Sequence, residues 1–264
     1  SFNQNVDYWI PSSASTLKNM FKNAISFKNG TNAPLKWYDS TSQNVLTIVS
    51  TMESMFEGAT LFNSTLSNWK TENCSNFKNM FKNATTFDNG GQTWSVKGGK
   101  ANNLESMFEG AASFDQNIKS FDVGSAQIGF IGGFSYPLIN MKNMFKNATV
   151  YNNGGQDLGN NLTDRDPANG FFSGGRRTSV ESMFEGAESF NQSISFWNTD
   201  DCTNFNNMFK NATSYNNGGS SINWNSSQYL QNATDMSGMF HNAISFNQDV
   251  SVWDVSNVEN MQSM

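Results

Sequence analysis

Few side chains in this 264-residue chain have the types and spacing that chemistry requires. Its one histidine, His241, occupies a slot held elsewhere by Lys or Glu, and proton transfer needs a positioned partner, so it reads as a passive substitute. Cys74 and Cys202 take one equivalent position in repeats four turns apart. At about 4.8 Å per turn they lie roughly 19 Å apart, beyond the roughly 7 Å between Cα atoms that a disulfide spans; free, buried thiols are expected. The stretch Asp164-Arg165-Asp166-Pro167-Ala168-Asn169-Gly170 loosely resembles a calcium loop, but its third ligand is displaced and no Glu closes it. Arg176 and Arg177 follow a Gly pair and read as loop or edge residues, not as an anion site. No acid, base, nucleophile and stabiliser converge, so neither catalysis nor a metal or cofactor is expected.

Covalent modification is the remaining chemistry. Asn-x-Ser/Thr occurs at Asn29, Asn63, Asn73, Asn83, Asn147, Asn161, Asn191, Asn211, Asn225 and Asn232, which is close to what composition alone produces. Three of these, Asn83, Asn147 and Asn211, share one position, where a row of glycans could run along the molecule. The competing reading is that Asn there only ends a short helix.

These residues are positioned by a repeat. Lys18-Asn19-Met20-Phe21-Lys22-Asn23-Ala24 and Glu53-Ser54-Met55-Phe56-Glu57-Gly58-Ala59 are two clear copies; others centre on Met80, Met107, Met144, Met183, Met208 and Met239, and Met264 begins a ninth. Numbered from the central Met, apolar residues recur at -3, 0, +1, +4 and +7, a helical spacing that predicts a short helix with its apolar face inward. Segments such as Asn44-Val45-Leu46-Thr47-Ile48-Val49 and Val255 to Met261 predict one brief strand per turn. An aromatic seven residues beyond the +7 aromatic, as in Phe62 to Trp69 and Phe246 to Trp253, predicts a second stacked row. Met centres are 25 to 39 residues apart, so the basic turn is 25 residues and the excess is inserted loop. The longest insertion, Gln156 to Arg177, is Gly-rich and polar, as a surface loop should be. A unit this small cannot enclose a core and must stack on its neighbours.

The copies alternate in charge. Position +2 runs Lys22, Glu57, Lys82, Glu109, Lys146, Glu185, Lys210, His241, and position -2 runs Lys18, Glu53, Lys78, Glu105, Lys142, Glu181, Asn206, Ser237, Gln262. If equivalent positions stack, each Lys lies between two Glu residues, and a slip of one turn sets like on like. Each exposed pair contributes only about 0.2 to 1 kcal/mol, so register is the larger consequence.

The copy from Asp235 to Val258, Asp-Met-Ser-Gly-Met-Phe-His-Asn-Ala-Ile-Ser-Phe-Asn-Gln-Asp-Val-Ser-Val-Trp-Asp-Val-Ser-Asn-Val, resembles the BspA-like surface-protein repeat, also called the mycoplasma lipoprotein-associated repeat. That resemblance covers nearly the whole chain. It implies a leucine-rich-type solenoid at the cell surface, active in adhesion or contact between cells, with no catalytic residues. The long Gly/Asn insertions and the strict Lys/Glu alternation depart from the family's pattern and point to a specialised structural role.

Net charge of -6 and only 16 Lys plus Arg leave no basic stripe for nucleic acid. No apolar run of about 18 residues is present to span a membrane. Ser1 and Phe2 sit late in a repeat and Met264 stops at the centre of another, without polar caps, so the reading is of a segment of a longer array or a unit continued by a neighbouring chain. The expected architecture is an α/β repeat solenoid, residues 1 to 264, of about nine stacked turns with a short strand and a short helix each, forming a rod of roughly 40 to 90 Å. The expected role is a non-enzymatic extracellular or cell-surface structural protein that builds a filament, sheath or coat by end-to-end stacking on itself. The alternative is an adhesin that binds a protein or glycan partner.

Overall fold

The computed structural model describes residues 2–37, 46–96, 100–118, 121, 123, 128–130, 133–135, 138–156, 158, 176–195, 197, 199, 201–224 and 230–264. Successive copies lie in parallel, each bonded to the next, and will be called layers one to nine after their central Met. Residue -4 of each layer bridges its counterpart in the next, from Thr16↔Thr51 and Thr51↔Asn76 through to Asp235↔Asn260. The strand expected in every turn is therefore a single bridged residue in most layers. It lengthens to a true parallel pair only where β3 (Leu138–Asn140) meets β4 (Arg176–Ser179). A small antiparallel hairpin, β1 (Ile128–Phe130) with β2 (Gly133–Ser135), precedes them.

The central segment is not a helix. In layer two, Met55 N–H donates to Met52 O and Ala59 N–H to Phe56 O, at 3.1 and 3.0 Å, and the third residues of these turns, Ser54 and Gly58, have φ of 55° and 69°. Positive φ at that one position defines type II turns. The other N–H groups point out of the layer: Met52, Ser54, Phe56 and Gly58 donate to the carbonyls of Asn76, Lys78, Met80 and Lys82 in layer three, at 2.8 to 2.9 Å. Half of the donors thus close local turns and half bind the next layer, so the segment is satisfied without helical bonding. The residues at -1 and +3 fit this backbone. They are Asn, Ser or Gly throughout, and all are left-handed, for example Asn79 at 56°, Asn83 at 57° and Gly110 at 69°.

The apolar face matches the predicted one although the backbone differs. Met52, Met55, Phe56, Ala59 and Phe62 are fully buried, as are their counterparts in layers three and five to seven. Phe at +1 and the aromatic at +7 stack within a layer, with centroids 4.0 Å apart for Phe56 and Phe62 and 3.7 Å for Phe209 and Tyr215. Each also stacks on the next layer, at 5.6 Å for Phe56 to Phe81 and 5.9 Å for Phe62 to Phe87. Two aromatic columns therefore run along the molecule, each contact adding about 0.5 to 1.5 kcal/mol beyond burial. The further aromatic row is interrupted: Trp37 stacks on Trp69 and Trp224 on Trp253, whereas Trp94 meets Phe121 edge-on. Trp37 and Trp224 join it from outside the seven-residue spacing, because their layers carry extra residues before it.

Candidate functional site

The ionic face is built from residues -2 and +2, which flank the left-handed -1 and +3 positions. Lys18 lies 2.8 Å from Glu53, Lys78 2.9 Å from Glu105 and Lys142 2.8 Å from Glu181. At +2, Lys22 is 3.0 Å from Glu57, Lys82 3.0 Å from Glu109 and Lys146 2.8 Å from Glu185. The Lys22 ammonium is off the hydrogen-bond line of Glu57 Oε2, so that contact is ionic only. Every close pair joins a Lys layer to the Glu layer that follows it. In the reverse direction, among the described residues, only Lys210 approaches the preceding Glu185, at 4.0 Å, so the face consists of couples and not of a Lys centred between two Glu residues.

What joins a Glu layer to the next Lys layer is asparagine. Asn76, Asn140 and Asn204, at -4, donate from Nδ2 to the second carboxylate oxygen of Glu53, Glu105 and Glu181 at 3.2, 3.1 and 3.3 Å. The Lys18 hydrogen bond, reinforced by its charge and by Asn76 and Lys78, holds the Glu53 carboxyl below its ordinary pKa against the opposing effect of burial. Beyond Glu185 no close Lys-Glu couple follows among the described residues. Asn206 donates to Ser237 Oγ at 2.6 Å, and His241 stands where a Glu would face Lys210; together with Gln262 and Ser263 these residues line an open depression.

A second polar column lies at +8. Asn63 Oδ1 accepts from Asp88 N–H, Asp88 Oδ1 from Asp115 N–H, Asp115 Oδ1 from Asn152 N–H, Asn152 Oδ1 from Asn191 N–H, and Asn191 Oδ1 from Asn216 N–H, at 2.6 to 3.0 Å. Beside it, at +9 of the four Lys layers with extra Gly, Asn29, Asn89, Asn153 and Asn217 are fully buried. Each Oδ1 accepts a backbone N–H of the preceding layer, from Val6, Leu66, Ile118 and Ile194 at 2.7 to 2.8 Å. Recurrence of Asn at this one position was the available signal, but burial of an Asn cannot be read from composition.

The sequons divide accordingly. Asn29 is a buried structural bracket, donating to Asp7 at 2.8 Å, and a glycan on it is excluded in the folded chain. Asn63 and Asn191 each anchor two backbone N–H groups of the following layer. Asn73 is exposed and donates to Thr47 O, while Asn232 is exposed. Asn161 and Asn225 lie outside the described residues. Asn83, Asn147 and Asn211 are exposed, but they do not end helices: each is a left-handed turn residue, at φ 57 to 59°. Their side chains lean over the next layer. A Cβ added to Gly110 or Gly186 would meet Asn83 or Asn147 Oδ1 at 2.4 Å, which explains the Gly that follows each of these Asn residues, whereas Asn242 follows Asn211 and bonds to it instead.

Cys74 and Cys202 are both buried, and burial pushes the Cys74 thiol up to about 12. The calcium-like stretch 164–170 lies outside the described residues. Arg176 and Arg177 belong to β4, not to a loop, because their backbone pairs with Leu138 and Ile139. Among the described residues no helix is long and apolar enough to cross a membrane.

The sequence matches a protein family described as "Mycoplasma protein of unknown function, DUF285" over residues 1–48, 38–130 and 175–264. No curated protein and no solved structure matches it.

Proposed function

The chain belongs to this DUF285 family, and from its repeats we propose a non-enzymatic structural protein of the cell surface: a solenoid that builds a filament, sheath or coat by stacking on further copies. The relation to the BspA-like surface repeats is part of this proposal. One observation carries it. Each layer directs its free N–H groups at one neighbour and its free carbonyls at the other, as in Phe56 N–H to Met80 O followed by Phe81 N–H to Met107 O. The interface is head-to-tail, and a head-to-tail contact builds a filament wherever its rotation does not close into a ring. The aromatic columns continue in the same sense. An acidic surface, with net charge -6, fits a partner other than nucleic acid.

Electron microscopy of natively sourced material tests this reading. Continuous filaments with layers passing from chain to chain are expected; separate short rods at high concentration would overturn it. The varied layer lengths, 25 to 39 residues over a constant core, favour a second reading as an adhesin whose loops contact a protein or glycan. Deletion of 159–174, stopping short of β4, should then abolish binding to cells while leaving the stack folded, and unchanged binding would sink that version.

A further inference from the structure

We propose that the Asn-Gly pairs at +9 and +10, Asn29-Gly30, Asn89-Gly90, Asn153-Gly154 and Asn217-Gly218, are latent deamidation sites that stacking holds shut and that open only when layers separate. In a mobile chain Asn-Gly is the dipeptide most prone to this reaction. The glycine amide nitrogen gives up its proton and attacks Asn Cγ; the new C–N bond closes a succinimide ring, the Cγ–Nδ2 bond breaks and ammonia leaves with the proton. Water then opens the ring to aspartate or isoaspartate. Water is the only co-reactant, so exposure and geometry alone decide whether the reaction proceeds.

Every requirement is blocked in the stack. All four carboxamides have no exposed surface, which denies water to the leaving ammonia. The carboxamide plane is fixed at both ends: Asn89, Asn153 and Asn217 accept from the preceding layer through Oδ1 and donate through Nδ2 to Gln92, Gln156 and Ser220 carbonyls at 2.5 to 2.6 Å. The attacking nitrogen is held as well. Gly90, Gly154 and Gly218 N–H donate to Asn63, Asp115 and Asn191 Oδ1 at 2.9, 2.9 and 3.0 Å, and these three acceptors belong to the preceding layer. At the first pair the Asn29 carboxamide is also held at both ends, accepting from Val6 N–H and donating to Asp7, while Asn3 donates to the Gly30 carbonyl.

The restraint is therefore divided between two layers, and it fails when they part. Its failure is also recorded. Aspartate lacks the Nδ2 donor that the Gln92, Gln156 and Ser220 carbonyls use, and isoaspartate adds a methylene to the main chain where one layer must match the next. A layer opened long enough to react cannot re-form the same contacts. This inference rests on the stacking of layers and not on the proposed role, so separate rods whose Asn-Gly pairs stay intact would leave it standing.

The test is peptide mapping by mass spectrometry, with isoaspartate detection, after parallel incubation of the full chain folded and in denaturant at mildly alkaline pH. Conversion at Asn89, Asn153 and Asn217 should be slower in the folded chain by at least about tenfold, as expected for a reaction gated by local opening. Equal rates would overturn the proposal. In folded Asn191→Ala, which frees Gly218 N–H, Asn217 should convert several-fold faster than Asn153 in the same molecule. Asn191→Asp keeps the acceptor, the task Asp115 already performs for Gly154, and should leave Asn217 closed. Opening in N191D, or equal rates at Asn153 and Asn217 in a folded N191A chain, would refute a lock through the preceding layer.

Discussion

Layers one to six and layers seven to nine share one interior and differ on one face. Phe56 and Phe81 stack at 5.6 Å in the first region, Phe209 and Phe240 at 5.8 Å in the second. Their backbones join layers alike, with Phe56 N–H to Met80 O and Phe209 N–H to Met239 O both 2.9 Å. On the surface, the first region carries six Lys-Glu couples at 2.8 to 3.0 Å, while the second has Asn206 on Ser237 and a His opposite Lys210. Since the neutral layers stack as closely as the charged ones, ion pairs do not create the layer. They distinguish one layer from the next, and that distinction is confined to the first region.

Substitutions in the shared interior should erase the comparison. Phe81→Ala and Phe209→Ala each remove a ring stacked on both sides, and a cost of about 3 to 5 kcal/mol is expected in either region, measurable by denaturant unfolding. A much smaller loss in one region would show that the columns are not equivalent.

The buried brackets come next. Asn217→Ala leaves the Ile194 N–H and the Ser220 carbonyl without partners, and at about 1 to 3 kcal/mol per orphaned group a loss of about 2 to 6 kcal/mol is expected. Hydrogen exchange should show the Ile194 amide losing protection ahead of distant layers.

The Asn-over-Gly contact sharpens the alternation itself. Gly110→Ala places a Cβ on Asn83 Oδ1 at a φ of 69°, where left-handed backbone costs about 1 to 2 kcal/mol before the clash is added. A second change, Asn83→Gly, should recover the clash portion and leave the backbone portion. Full recovery would mean that the left-handed turn imposes no strain.

The smallest effects should belong to the rungs and to the first region alone. Glu53→Gln should cost within the range of about 0.2 to 1 kcal/mol of exposed pairs and lose its effect in high salt. Because the folded Glu53 carboxyl titrates below its ordinary value, its contribution is fully present above that value and disappears as pH falls through the lowered one. Layers seven to nine should show neither dependence at their rungs, which hydrogen exchange resolved by layer would reveal.

Much of this was legible in the sequence because a repeat multiplies weak signals. The buried row at -3, 0, +1, +4 and +7 follows from residue type and position; the alternation of Lys and Glu layers does too, but it placed each Lys between two Glu residues and did not show that each pairs with the following layer. The helix was not correct. Left-handed residues four apart put apolar side chains on one face nearly as a helix does, so the spacing cannot separate the two. The discriminating residues were Asn19 and Asn23, Ser54 and Gly58, and their equivalents, types that tolerate positive φ and weaken a helix. The asparagine links from Asn76 to Glu53 and the brackets at Asn89 and Asn217 were invisible for another reason. An Asn reads as surface until its partners are placed around it.

By itself the sequence determined the number of copies, their alternation and which residues line the interior, since these are properties of order along the chain. The tertiary structure alone decided the backbone between them. A helix would have satisfied its donors internally; here half of each central segment's N–H groups are answered only by the next layer, so its conformation exists because the neighbour does.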